Sequence, residues 1–169
     1  LQAQLADSEA VVRLAAVALV FLVGETGAIV KSADGGKTWT PLKSPYEGSY
    51  FGLLELKDGA LLAFGMRGNI YRSSDLGTTW AQVPFASKAT LNGGSLAADG
   101  RIVLAGNRGL LAVSADAGRT FTISTAPEGT SLAQARLLED GTLVYAGVMA
   151  SGRVPPARDN AGTGSNSGK

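Results

Sequence analysis

A period of 41 residues is the feature that most limits what this chain can fold into. Three octads align: SADGGKTW from Ser32, SSDLGTTW from Ser73 and SADAGRTF from Ser114. Their spacings are 73 − 32 = 41 and 114 − 73 = 41. A glycine that ends an apolar run recurs in the same period at Gly24, Gly65, Gly106 and Gly147. Its partner three residues on is Gly27, Gly68 and Gly109, with Ala150 in the fourth copy. Asp58-Gly59, Asp99-Gly100 and Asp140-Gly141 keep the register, while the first copy has Val17-Ala18 there. Landmarks in one register mean a stack of similar units, each needing its neighbours to bury an apolar face.

Each unit reads as four short strands. In the second, these are expected over residues 50–56, 60–64, 69–73 and 81–84. Asp58-Gly59 is expected to be a two-residue hairpin turn, with positive φ at both residues. Short apolar runs closed by glycine, such as ALLAF, are the pattern of buried strands. A four-stranded antiparallel unit of about 40 residues is a propeller blade. The expected fold is therefore all-β, a β-propeller. The expected divisions are 1–9 as an N-terminal extension or closing strand, and blades at 10–49, 50–90 and 91–131. A partial blade at 132–154 and a disordered tail at 155–169 follow. Of 169 residues, 154 remain without the tail, and 154/41 is about 3.8 units.

Composition narrows the chemistry. There is no Cys, which excludes disulfides, thiolate metal sites and a Cys nucleophile. There is no His, which excludes a Ser-His-Asp triad and most zinc sites. The 15 basic residues face 14 acidic ones and form no run, so nucleic acid is not an expected partner. The run Ala10 to Val23 contains Arg13 and is shorter than the roughly 20 residues of a membrane helix. It reads as buried strands of the first unit rather than as a signal peptide.

The octad has the form Ser-x-Asp-x-Gly-x-Thr-aromatic. Asp34, Asp75 and Asp116 can accept hydrogen bonds from backbone N–H groups of their own turn, and Ser32, Ser73 and Ser114 can do so more weakly. Gly36, Gly77 and Gly118 allow positive φ. Thr38, Thr79 and Thr120 resume a strand. Trp39, Trp80 and Phe121 are expected to bury their rings between blades. Each octad has one carboxylate, whereas a calcium site wants about six or more oxygens. The octads are therefore assigned to folding, with no metal and no cofactor.

The octad is the pattern of the Asp-box, or BNR repeat, known in sialidases, sortilin-like receptors, xyloglucanases and photosystem II stability/assembly factor-like proteins. The chain most resembles the bacterial, non-photosynthetic form of the last group. The resemblance rests on FLVGETGAIVKSADGGKTW, LLAFGMRGNIYRSSDLGTTW and IVLAGNRGLLAVSADAGRTF, and covers about residues 10–153. It implies a propeller of six to seven blades, of which this chain would be the C-terminal part. It further implies an extracytoplasmic, non-enzymatic scaffold that binds a membrane protein complex or its assembly intermediates, such as an exporter. A partial propeller would close by pairing with further blades, with a second chain, or through Leu1–Ser8.

A carbohydrate-active propeller, either a sialidase-like glycoside hydrolase or a glycan-binding module, is the alternative. A glycosidase needs two carboxylates about 5–10 Å apart, and Glu47, Glu55, Glu128 and Glu139 are the loose candidates. No Arg-Ile-Pro motif is present, and Tyr46-Glu47 adjacency alone does not make a sialidase pair. The stronger lead is topological. Asp-Gly turns and octads should share one end of the blades, and the second-to-third strand turns and inter-blade linkers the other. At that other end fall Arg67 and Arg108, 41 apart, with Tyr46, Glu47, Tyr50 and Lys88 from the linkers. Arginine with tyrosine is the composition of protein-binding hot spots.

Overall fold

The computed structural model describes residues 19–149 and 151–156. Residues 1–9, the start of the apolar run and most of the tail lie outside the described residues. The chain forms four antiparallel sheets in sequence order. Sheet one holds β1 (Val20–Val23), β2 (Ile29–Ser32) and β3 (Thr40–Pro41). Sheet two holds β4 (Tyr50–Glu55), β5 (Leu61–Gly65), β6 (Ile70–Ser73) and β7 (Ala81–Gln82). Sheet three repeats this with β8 (Leu91–Leu96), β9 (Ile102–Gly106), β10 (Leu110–Ser114) and β11 (Thr122–Thr125). Sheet four holds β12 (Leu132–Leu137), β13 (Leu143–Gly147) and β14 (Ser151–Val154). This is the expected all-β partial propeller.

The sheets stack face to face, which explains why the second strand of a unit is apolar throughout. All of β5 and all of β9 are buried. Side chains of a strand alternate between faces. Leu62 and Phe64 point into a cluster shared with Leu91, Ile102 and Leu104 of sheet three. Ala63, between them, packs with Ile29 of sheet one and with Tyr50 and Tyr71. Val103 and Ala105 of β9 pack with Leu132, Ala135 and Tyr145 of sheet four. Sheet one lacks a covering sheet on its other side among the described residues. Leu22 is 52% exposed there, whereas Ala63, at the same repeat position, is 0% exposed.

Two local expectations are corrected. The Asp-Gly loops contain three residues, not two. Leu56 N–H donates to Ala60 O (2.8 Å) and Gly59 N–H to Leu56 O (2.9 Å). Only the glycine, at φ 75°, is left-handed. Asp58 instead uses its carboxylate to accept Ala60 N–H at 3.1 Å, a bond repeated by Asp99 with Arg101 and by Asp140 with Thr142. A three-residue loop with glycine in the left-handed position suits a hairpin and spares the aspartate strain. The octad rings are also less buried than expected. Trp80 and Phe121 are half-buried, each packed against the preceding sheet, and Trp39 is 38% exposed because no described sheet precedes it.

The octad is a closed hydrogen-bond circuit. Ser73 Oγ donates to Asp75 Oδ1 (2.8 Å) and accepts Gly77 N–H (2.8 Å). Asp75 then accepts Thr79 N–H (2.9 Å) and Thr79 Oγ1–H (2.6 Å). Asp34 and Asp116 make the same bonds to Thr38 and Thr120. The serine is the buried member, at 1% exposure in all three copies, while Asp34 and Asp75 are exposed and Asp116 is half-buried. The threonine hydroxyl and N–H, followed by the serine hydroxyl, hold the Asp34 and Asp75 carboxyls down to about 2, against an ordinary 3.8. Asp116 is lowered by the same donors.

Ser73→Ala is expected to cost about 1–3 kcal/mol in denaturant unfolding, because it strands the buried Gly77 N–H. Thr79→Ala, at an exposed position, is expected to cost less. The lowered carboxyls also set a pH dependence. Their contribution is complete above pH about 4 and is lost as pH falls toward about 2. Melting temperature should drop across that window. Replacing Asp34, Asp75 and Asp116 by Asn should lower the melting temperature at neutral pH and make the acid drop shallower.

Candidate functional site

Strand pairing decides which loops share an end. Leu61 pairs with Ser73, so the Asp-Gly loop and the octad lie together, and Arg72 forms an ion pair with Asp58 there. Tyr50 pairs with Gly65 at the other end, beside the turn that carries Arg67. That turn is a tight 3-10 turn, Met66–Gly68, with equivalents at Glu25–Gly27 and Asn107–Gly109. Their central residues are not glycines, yet all are left-handed: Thr26 at φ 51°, Arg67 at 58° and Arg108 at 61°. A non-glycine residue there costs about 1–2 kcal/mol. The linker crosses directly over the glycine that follows. A Cβ on Gly68 would overlap the backbone oxygen of Ser87, and one on Gly27 that of Tyr46.

This folding draws two of the expected residues together. Arg108 and Lys88, both exposed, line one cavity of about 410 Å³ with Ser87, Thr90, Asn107 and Thr125. Asn107 N–H donates to Thr90 O at 2.9 Å, which fixes the turn against the linker. No carboxylate lines the cavity. Arg67 is exposed on the neighbouring turn, and Glu47 is exposed on the linker before it.

The tyrosines are placed differently. Tyr50 is 2% exposed and cannot meet a partner, which corrects its assignment to a binding surface. It meets Tyr46 edge-on at 5.8 Å and Tyr71 edge-on at 6.2 Å, and its hydroxyl lies 3.1 Å from Ser44 Oγ. Tyr46 is half-buried and stacks on Tyr71 at 5.9 Å. Burial pushes the Tyr50 and Tyr71 hydroxyls above their ordinary value. The three rings join sheet one to sheet two. Of the loose acidic candidates, Glu128 accepts a hydrogen bond from Tyr145 Oη at 2.8 Å.

Sequence reasoning missed two features of this end. The register of each inner strand slips at one repeat position, between Tyr50 and Gly52, Leu91 and Gly93, and Leu132 and Gln134. Such bulges re-aim side chains. The bulged residues are Phe51, Asn92 and Ala133, and Phe51 is 48% exposed. The second feature is apolar. Val148 and Met149 occupy the fourth turn, at the repeat positions of Asn107 and Arg108, and are 82% and 86% exposed. The 41-residue spacing marked these positions, but no local signal distinguished them.

No protein-family model matches the chain, and no curated protein does. Solved structures do resemble it. YCF48 bound to a D1 peptide matches with TM-score 0.59 and 20% identity, over 75% of this chain and 42% of that one. An ancestral GH74 enzyme matches with TM-score 0.64 and 13% identity, over 75% of this chain and 20% of that one. The WD40 β-propeller domain of Doa1 matches with TM-score 0.62 and 12% identity, over 77% of this chain and 44% of that one. The chain thus spans less than half the length of each. At these identities the likeness establishes the β-propeller fold. It also corrects the expectation that the chain is not an enzyme, because an enzyme carries the same blades.

The crossing of linker over turn can be checked by comparing two glycines. Gly59→Ala meets open space and only the left-handed backbone opposes it, at about 1–2 kcal/mol. Gly68→Ala adds an overlap with the Ser87 backbone and should cost clearly more than Gly59→Ala in the same urea titration.

Proposed function

We propose that the chain is a protein-binding scaffold of the photosystem II stability/assembly factor-like type, and that it works outside the cytoplasm on a membrane protein complex or its assembly intermediates. The observation that carries the binding reading is the cavity where Lys88 and Arg108 converge with no carboxylate on its walls. An arginine there offers a planar fork of donors to a partner carboxylate. Val148, Met149 and Phe51, exposed at the same end, add apolar contact area. Cationic groups beside exposed apolar side chains suit a partner segment in which carboxylates alternate with apolar residues. YCF48 bound to a D1 peptide is a precedent for peptide capture on this fold. The extracytoplasmic, membrane-associated setting and the exporter role are inferred from the family resemblance. Further blades, or a second chain, would cover the outer face of sheet one where Leu22 and Trp39 are exposed.

The test is capture of partner proteins from detergent-solubilised membranes by the immobilised chain. Arg67→Glu with Arg108→Glu should abolish capture while the circular dichroism spectrum stays unchanged. Capture by the unmodified chain should weaken as salt is raised, since exposed charges are screened over about 10 Å or less. Undiminished capture by the double variant would remove the proposal.

A further inference from the structure

The cavity shared by Lys88 and Arg108 is built by the third unit. Its walls are the linker at 87–90, the turn Asn107–Gly109, and strands β10 and β11. Side-chain donors crowd it. Beside the two cations stand the hydroxyls of Ser87, Thr90 and Thr125 and the amide of Asn107. Two of these already use their acceptor side elsewhere. Ser87 Oγ accepts Ala89 N–H at 3.1 Å, which leaves its own proton to donate. Asn107 Oδ1 accepts a hydrogen bond from Asn92 Nδ2 at 2.8 Å, which leaves Asn107 Nδ2 as the open donor. Among the described residues neither Lys88 nor Arg108 is in an ion pair. Leu110, 5% exposed, and half-buried Ile123 supply an apolar wall.

The repeat does not require this set. At the matching positions the second unit has Glu47 for Lys88, Met66 for Asn107 and Pro84 for Thr125. It also has Asn69 for Leu110 and Gln82 for Ile123, and there Gln82 Nε2 donates to Asn69 Oδ1 at 3.2 Å. The fourth unit has Gly129 for Lys88, and Val148 and Met149 for Asn107 and Arg108. By sequence, the third unit alone gathers two cations, three hydroxyls and an amide at these positions. Blade folding is common to all the units and cannot be what selects them.

Six donor side chains with no carboxylate among them suit a ligand with more acceptor oxygens than the two of a carboxylate. A phosphate monoester offers three, with a charge of about −2 to match the two cations. We propose that this cavity is a phosphate-monoester site. Lys88 and Arg108 neutralise the phosphate, Arg108 as a planar fork. Ser87, Thr90, Asn107 and Thr125 bind its remaining oxygens, and the carbon side of the ester lies on Leu110 and Ile123. This assignment rests on the binding reading above, since it takes the same cavity as the site, and gives that site a ligand chemistry.

The probe is glycerol 3-phosphate, titrated into the whole chain at fixed ionic strength with binding read by calorimetry. Saturable binding is expected, at least about tenfold tighter than that of acetate, which the Arg108 fork alone could hold. Arg108→Ala should weaken it at least about tenfold. Lys88→Glu, which installs the acid of the second unit at an exposed linker position, is the second variant should the first unfold. Arg119→Ala removes an exposed charge at the octad end and should leave binding unchanged. Phosphatidylcholine vesicles with and without phosphatidate separate the two sources of the group. Added binding to the phosphatidate vesicles places it on a lipid, and equal binding places it on a soluble ester. No binding of glycerol 3-phosphate, equal binding of acetate, or undiminished binding to a folded cavity variant would each overturn the proposal. If reversal of Arg67 and Arg108 still abolishes capture from membranes, the scaffold reading survives that failure.

Discussion

The structure depends on one packing arrangement: sheets two and three are each buried by a neighbour on both faces. Phe64 and Leu62 meet Leu104 and Ile102 on one side of sheet two, while Ala63 meets sheet one on the other. Burying one such side chain contributes about 1.5–3 kcal/mol, and each unit carries several. A single sheet has no way to gain this alone. The same arrangement explains the ends of the stack. Leu22 and Trp39 are exposed because sheet one is covered on one side only among the described residues. Internal faces and end faces are chemically alike, and only the neighbour differs.

Close stacking makes demands on the loops, and the two ends meet them differently. At one end the octad buries a serine hydroxyl that receives a glycine N–H and passes its own proton toward an exposed aspartate. The bend thereby satisfies the glycine and threonine N–H groups from its own side chains. At the other end a linker crosses directly over a tight turn. The turn there has left-handed backbone at Thr26, Arg67 and Arg108, and Arg108 and Lys88 lie on the walls of one cavity. That end carries Arg67, Arg108, Lys88, Phe51, Val148 and Met149 in exposed positions. The hydrogen-bonded end carries the octad rings Trp39, Trp80 and Phe121.

Much of this was legible in the chain. The period located the strands of the second unit to within a residue or two. Expected strands over 60–64 and 69–73 are found at Leu61–Gly65 and Ile70–Ser73. The last strand, expected over 81–84, is shorter, at Ala81–Gln82. Turn chemistry was less legible. Asp58-Gly59 is compatible with two- and three-residue loops, and only the pairing of Leu56 with Ala60 distinguishes them. Burial was the least legible. Tyr50 and Arg67 both lie at the cationic end, yet one is in the core and the other in solvent.

By itself, then, the sequence determined the repeat, the strand order, the identity of the octad residues and the sharing of ends by the loops. These follow from local rules, because period, glycine placement and apolar runs act within one unit. The tertiary structure alone decided which of those residues face solvent and which the core. Convergence of Lys88 with Arg108, burial of Tyr50 and exposure of Phe51 at a bulge all depend on how one unit meets the next. A repeat writes the same residue at the same position in each unit. Contact with a neighbour then makes one copy part of the core and leaves another as a surface.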